Sequence, residues 1–197
     1  MAVEINVAWG DEWIPALLDV LDRHRAKATW FLMGDWAEAH PQLARQIAQR
    51  GHEIASHGYS AVDWDRLDRK AILDQISRAD QAIERATGVR PFWFSTHKGV
   101  VNEEILKAAR ELGHETVMWT ADTVDWMNPT VEWMVGRVMK KAGPGALILM
   151  HPTERTPEAL DRILSALEAR GLKVVTVGEL LSTRRLDTAN EPDEVSR

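Results

Sequence analysis

Gly51-His52-Glu53-Ile54-Ala55-Ser56-His57-Gly58-Tyr59-Ser60-Ala61 is the stretch from which the rest of the chain can be read. His52 to Ala55 has the composition of a short buried strand, and His57 follows where a side chain points into a cleft at the strand's carboxyl end. One turn later, the residue that would complete an i, i+4 pair of imidazoles is Ala61. A single imidazole does not hold a catalytic divalent ion, because zinc sites of that kind use three protein ligands and an open position. The stretch reads as half of a metal site, on an enzyme-like scaffold whose central chemistry is damaged or rebuilt.

Working outward, short apolar runs alternate with amphipathic segments. Strands are expected at Ile5 to Trp9, Ala28 to Met33, His52 to Ala55, Phe92 to Ser95, Thr116 to Thr120, Ala146 to Met150 and Lys173 to Val177. Between them helices are expected at Ile14 to His24, Trp36 to Arg50 with its true start at Pro41, Arg66 to Thr87, Asn102 to Leu112, Val131 to Lys141 and Pro157 to Arg170. A short helix, Gly178 to Leu181, closes the series. About seven β/α units in this length predict an α/β fold, a compact, distorted or incomplete (β/α) barrel of parallel strands. The second architecture is an open doubly wound sheet. No Gly-rich phosphate loop follows any strand, so nucleotide binding has no support. Residues 1–182 are expected to form the single domain, and 183–197 a polar, flexible tail containing Pro192.

The composition bounds the function. The chain has 197 residues, enough for one domain with a sizeable core. Its net charge of −6 and lack of a basic cluster argue against a nucleic-acid groove. It has no cysteine, which excludes disulfides, thiolate metal sites and a cysteine nucleophile. No apolar run approaches the length needed to span a bilayer, and no signal-peptide pattern precedes the first strand. Nine tryptophans against one tyrosine and three phenylalanines are unusual; indoles fill cores but also make platforms for sugar rings.

In either architecture chemistry belongs at the carboxyl ends of the strands. The ionisable residues sit there: Asp11 and Glu12 after the first strand, His57 after the third, His97 and Lys98 after the fourth, Asp122 and Asp125 after the fifth, and His151 after Ala146 to Met150. His24, His40 and His114 lie on helix ends or faces and need no function. His52 reads as a buried structural histidine.

Lys27-Ala28-Thr29-Trp30-Phe31, Gly51-His52-Glu53-Ile54 with His57, Trp119-Thr120-Ala121-Asp122-Thr123-Val124-Asp125-Trp126, and Ile148-Leu149-Met150-His151 together resemble the polysaccharide deacetylases of the NodB-homology type, carbohydrate esterase family four, and among these the bacterial sporulation-associated members. The likeness runs from Ile5 to about Leu181. It implies a divalent metal, usually zinc, that polarises an acetamide carbonyl, a carboxylate base and a histidine acid. It also implies an acetylated glycan such as peptidoglycan or a chitin-type oligomer as partner, and a bacterial envelope or extracellular location.

Set against that pattern, the two aspartates that end the first strand are Ala8 and Trp9, and the second metal histidine is Ala61. The Arg-Pro-Pro-Tyr-Gly loop reads Ser95-Thr96-His97-Lys98-Gly99. His57 is the one family ligand kept, with Asp11 and His97 as possible metal substitutes and Glu12 as a possible base. By resemblance His151 is the general acid, Asp125 belongs to the catalytic groups, and Trp126 and Leu149 wall the acetyl pocket. Lys98 is expected to pair with Asp125 and to offer its backbone N–H to an oxyanion. Trp9 fills the space an ion would take and becomes a stacking surface.

Two functions follow, a deacetylase with a relocated site and a catalytically silent member that binds a glycan or a protein. A serine nucleophile at Ser56 or Ser95 is a weak third, since no Gly-x-Ser-x-Gly elbow exists. Oligomeric state is not legible.

Overall fold

The computed structural model describes residues 1–188. Its sheet holds seven parallel strands: β1 (Ala2–Val7), β2 (Thr29–Leu32), β3 (Glu53–Ser56), β4 (Trp93–Phe94), β5 (Glu115–Thr116), β6 (Ala121–Asp122) and β7 (Leu147–Met150). Their spatial order is β5-β4-β3-β2-β1-β7-β6. Read around a ring, this order is sequential and never reverses. A doubly wound sheet reverses at a switch point, so that alternative is excluded.

The sheet must also curl. β5 and β6 are its two edges, yet only residues 117–120 join them. A flat sheet of this width would hold its edges about 29 Å apart at roughly 4.8 Å per strand. Five extended residues reach at most about 18 Å. The edges are drawn together, and the open side of an incomplete barrel lies between β5 and β6.

Two expected strands change. Thr116 to Thr120 is not one strand: the chain leaves β5 at Thr116 and re-enters at β6 on the opposite edge, which places Asp122 in β6 rather than after a fifth strand. Lys173 to Val177 makes only an isolated bridge, Ala2 to Val175. There the N-terminal ammonium donates to the Lys173 carbonyl at 3.0 Å and Val175 N–H donates to the Met1 carbonyl at 2.9 Å, before the chain turns into a helix.

The helices are α1 (Ile14–Arg23), α2 (Gly34–Ala39), α3 (Pro41–Gln49), α4 (Arg69–Thr87), α5 (Glu103–Glu111), α6 (Val131–Met139), α7 (Thr156–Glu168) and α8 (Val177–Thr188). Their limits follow local chemistry. Pro41 opens α3 because the first helical position needs no N–H donor, which splits the expected Trp36 to Arg50 helix at His40. Asp68 and Asn102 cap α4 and α5 by accepting from Ala71 N–H at 2.8 Å and Ile105 N–H at 2.9 Å. The expected tail begins within α8, whose backbone continues through residue 188; residues 189–197 lie outside the described residues. No helix among the described residues is long and apolar enough to cross a membrane.

Strand alternation divides the interior in two. On β1, Val3, Ile5 and Val7 face the helix layer with Leu17, Leu21 and Ile163. Its other face looks into the barrel, where Ala2, Phe31, Ala55, Trp93, Leu147 and Val177 cluster. The lower end is tied by Glu53. Its carboxylate accepts from Thr29 Oγ1 at 2.6 Å, Trp93 Nε1 at 3.0 Å and Gly178 N–H at 3.0 Å, while Thr29 Oγ1 accepts from Val177 N–H at 2.8 Å. A Cβ on Gly178 would collide with Glu53, so glycine lets the start of α8 close on that carboxylate.

Two more inward groups on β1 are polar. Glu4 is fully buried and both its carboxyl oxygens lack a hydrogen-bond partner among the described residues, as does Asn6 Oδ1. Burial pushes the Glu4 carboxyl up from 4.5 to about 8. Burial, with Lys27 adding, pushes His52 down from 6.5 to about 4. Folding therefore takes up a proton at Glu4 between these two values, and stability falls as pH rises through that window. At His52 folding releases a proton, and stability is lost as pH falls from 6.5 toward 4. Between 4.5 and 6.5 these two effects cancel, but His57, pushed down by burial to about 3, adds a second acid limb, so stability peaks near pH 6.5 and about 2 kcal/mol is lost by about pH 8.5. Urea unfolding across pH should show this, and Glu4→Gln should flatten the alkaline limb; a wild-type limb that is already flat contradicts it.

Candidate functional site

The carboxyl ends of the strands open into a cleft of about 500 Å³ lined by Asn6, Trp9, His57, His97, Lys98, Trp119, Asp122, Trp126, Leu149 and His151. All five of the loops expected to converge contribute, together with strand residues of β1, β6 and β7 and the β5–β6 connection.

His57 is buried just beyond β3, and its Nδ1 lies 2.8 Å from Ser95 Oγ. Burial, helped by the nearby His97 and His151, pushes its imidazolium form down to about 3. At neutral pH it is an uncharged imidazole with one nitrogen engaged by Ser95. His97 stands edge-on to it, ring centroids 6.0 Å apart, and burial together with Lys98 and His151 also lowers its pKa.

Asp125 is buried, and the fold around it is specific. Val124 takes a left-handed conformation, φ 51° and ψ 34°, which a β-branched residue adopts only under strain; its N–H donates to Asp122 Oδ1 at 2.7 Å. That turn aims Asp125 inward. Its carboxylate accepts three bonds: from His151 N–H at 2.6 Å, Thr156 Oγ1 at 3.1 Å, and His151 Nδ1 at 2.7 Å. His151 thus has one ring nitrogen fixed and its plane set. Over that plane lies Trp9, ring centroids 5.4 Å apart and 17° from parallel. Gly10, at φ 75°, makes the turn that carries Trp9 there, and Trp36 Nε1 pins the turn by donating to the Gly10 carbonyl at 2.7 Å.

Several expected roles need correction. Lys98 does not pair with Asp125. It reaches Asp63 at 3.4 Å in solvent, because Asp125 is sealed in by His151 and Thr156. Asp11 and Glu12 do not enter the cleft. The turn at Gly10 throws both outward, Asp11 lies 3.8 Å from His40, and its carbonyl accepts from Ile14 N–H at the start of α1. Of the proposed metal substitutes, only His97 shares the cleft with His57. Lys98 itself is left-handed, φ 62°, in a turn whose Gly99 packs under Trp119; a Cβ there would sit 2.6 Å from the indole. Trp126 and Trp9 are the large exposed apolar groups at the mouth, 57% and 44% accessible, and Leu149 is buried in the wall.

The sequence reading missed Asn6, the cleft role of Trp119, and Ser95 as partner of His57. Asn6 had a signal: with Glu4 it interrupts an otherwise apolar strand at every second residue. Ser95 had none, because its contact with His57 spans 38 positions.

Among the described residues, no group of three or more histidine, aspartate or glutamate side chains is placed to hold an ion. His57 and His97 supply imidazoles, but the Asp125 carboxylate is committed to His151 and that of Asp122, the one carboxylate lining the cleft among the described residues, accepts from Val124 N–H. The residues present do not fit a catalytic zinc.

The described geometry predicts that Asp125→Ala destabilises the fold by about 2–4 kcal/mol, since it strands three buried donors. Asp63→Ala removes only an exposed partner of Lys98 and should stay within about 0.5 kcal/mol. Equal effects in denaturant titrations would contradict the assignment.

Similar proteins share this architecture. The family model described as polysaccharide deacetylase matches residues 4–117. The uncharacterized protein YlxY of Bacillus subtilis is 40% identical over 186 residues, 94% of this chain and 58% of that protein. A peptidoglycan-N-acetylglucosamine deacetylase of Bacillus cereus is 32% identical over 179 residues, 88% of this chain and 65% of that protein. The chain therefore spans less than two thirds of either relative. Among solved structures, a CE4 family pseudoenzyme from Bacillus anthracis superposes with a TM-score of 0.89 at 39% identity, covering 91% of this chain and 64% of that one. A mutant of that pseudoenzyme with restored enzymatic activity also scores 0.89, at 38% identity, covering 91% and 66%.

Proposed function

The chain belongs to the polysaccharide deacetylase family, and from that premise we propose that its cleft binds an acetylated, peptidoglycan-type glycan of the bacterial envelope without hydrolysing it. The observation that carries this reading is the Trp9 indole stacked on His151, at the position where the family pattern has a metal-binding aspartate. Active members of the family are metal-dependent. With Ala8, Trp9 and Ala61 at the base and ligand positions, neither water activation nor carbonyl polarisation has its groups. Loss of a general base alone costs about 10²–10⁴-fold in rate.

What the cleft keeps suits binding. Trp9, Trp119 and Trp126 offer indole faces to the apolar faces of sugar rings, and the volume of about 500 Å³ lies within the usual range for small-ligand sites. Peptidoglycan is favoured over a chitin-type oligomer because relatives are named as peptidoglycan deacetylases. The restored activity of the Bacillus anthracis mutant supports the view that such a scaffold stays competent when its chemistry is silent.

Three measurements test this. Purified protein supplemented with zinc should retain well below one ion per chain. Tryptophan fluorescence should shift on titration with an N-acetylglucosamine tetramer or a muropeptide, and Trp9→Ala should weaken binding about tenfold. The triple variant Ala8→Asp, Trp9→Asp, Ala61→His should take up zinc and release acetate. Stoichiometric zinc together with acetate release by the unaltered chain would overturn the reading.

A further inference from the structure

The floor of the cleft holds a polar pair that neither the family pattern nor the Asp125–His151 pair uses. Glu4 and Asn6 lie two residues apart on the inward face of β1. In register, Asn6 faces the apolar Phe31 on β2, and Glu4 lies between Leu149 on β7 and Thr29 on β2, whose hydroxyl is already engaged with Glu53. Burying an amide and a carboxyl where Val or Leu would fit costs several kcal/mol unless partners are found. Yet Asn6 Oδ1 and both Glu4 oxygens are sealed from solvent without a partner among the described residues.

Asn6 nevertheless lines the cavity. With Oδ1 turned inward, the polar atom it shows to a ligand is Nδ2, a hydrogen-bond donor. Beside it are Leu149, whose backbone is in register with Glu4, and the uncharged ring of His57. An acceptor bound there would meet a neutral donor between apolar walls. In an acetylated sugar, the acceptor of that size and polarity is the acetamide carbonyl oxygen.

We propose that Asn6 recognises the acetamide carbonyl in this cleft, in place of a metal, and that Glu4 beneath it is a positioning residue. This rests on the glycan-binding reading above. Glu4 serves by carrying its proton: it shares the inward face of β1 with Asn6 but bonds it at no point directly, and one water between the two would let the carboxyl O–H be relayed to Asn6 Oδ1 and keep Nδ2 facing outward. A neutral acid is what the surroundings favour, because burial alone accounts for its perturbed titration and no cation neighbours it.

The test is a fluorescence titration of the full chain with two probes, the N-acetylglucosamine tetramer and the same tetramer fully de-N-acetylated. Asn6→Leu should bind the acetylated probe about tenfold more weakly, the value of one hydrogen bond, and leave the free-amine probe unchanged. Asn6→Asp, which presents an acceptor, should lose acetylated binding and gain for the amine. Glu4→Leu should weaken acetylated binding, and Glu4→Gln, which keeps a neutral donor, should restore it. A role in packing alone would lower affinity for both probes equally, and thermal melts at pH 6.5 verify folding of each variant. Unchanged acetylated binding in both Asn6 variants overturns the assignment while leaving glycan binding intact. Wild-type protein with no affinity for either tetramer removes the glycan reading and this inference with it.

Discussion

Trp9 lies against His151 with ring centroids 5.4 Å apart, and the rest of the site arranges itself around that stack. An indole covers this face of His151, at the position where the family pattern has a metal-binding aspartate. It also holds the histidine in a fixed plane while Asp125 fixes its Nδ1. The position of Trp9 is set by backbone: the strand ends at Val7, Gly10 turns with positive φ, and Trp36 clamps the Gly10 carbonyl. The same turn expels Asp11 and Glu12. The residue that fills the site and the carboxylates that leave it are therefore consequences of one local geometry.

The barrel makes that geometry stiff at one end and open at the other. Below, Glu53 and Thr29 gather donors from β4 and the start of α8, closing the floor with hydrogen bonds that have little solvent competition. Above, short strands such as β4 and β5 give way to turns carrying His97, Lys98 and Trp119. The four-residue link between β5 and β6 keeps the two edges close, so the cleft mouth spans the seam of the incomplete barrel. The cleft lining thus comes mostly from loops, with Asn6 of β1 and Leu149 of β7 contributed by the rigid sheet.

How much of this was readable in sequence depended on range. Alternation of apolar runs gave the strand–helix order, and Pro41 and Asn102 marked helix starts that the structure keeps, whereas the helix expected from Arg66 begins at Arg69, where Asp68 caps it. The division of Thr116 to Thr120 was hidden, because a run with strand composition cannot show that its halves pair with β4 and β7 at opposite edges. Lys173 to Val177 has strand composition too, but the side of β1 that it meets is taken by β2 beyond Ala2. At the site, His57, His97 and His151 were found by their place at strand ends, and Trp9 by its position against the family pattern. The pairing of Lys98 was misjudged because charge complementarity in sequence carries no information on burial, and Asp125 was already saturated by three donors.

That saturation bears on what a surviving catalytic pair means. Asp125 and His151 match the family pattern, and a reading by motif would take them as a sign of surviving chemistry. Their bonds show a second reason for being there. Asp125 satisfies a backbone N–H, a ring nitrogen and the Thr156 hydroxyl in a buried corner reached by a strained turn at Val124. Removing it would leave three donors without acceptors, a cost the fold bears whether or not any substrate is turned over. Ala8, Trp9 and Ala61 stand where no such structural debt exists: aspartates or a histidine there would serve an ion and little else. The pattern of what is kept and what is replaced therefore separates groups that the fold needs from groups that only the chemistry needs, and every replaced ligand falls in the second class.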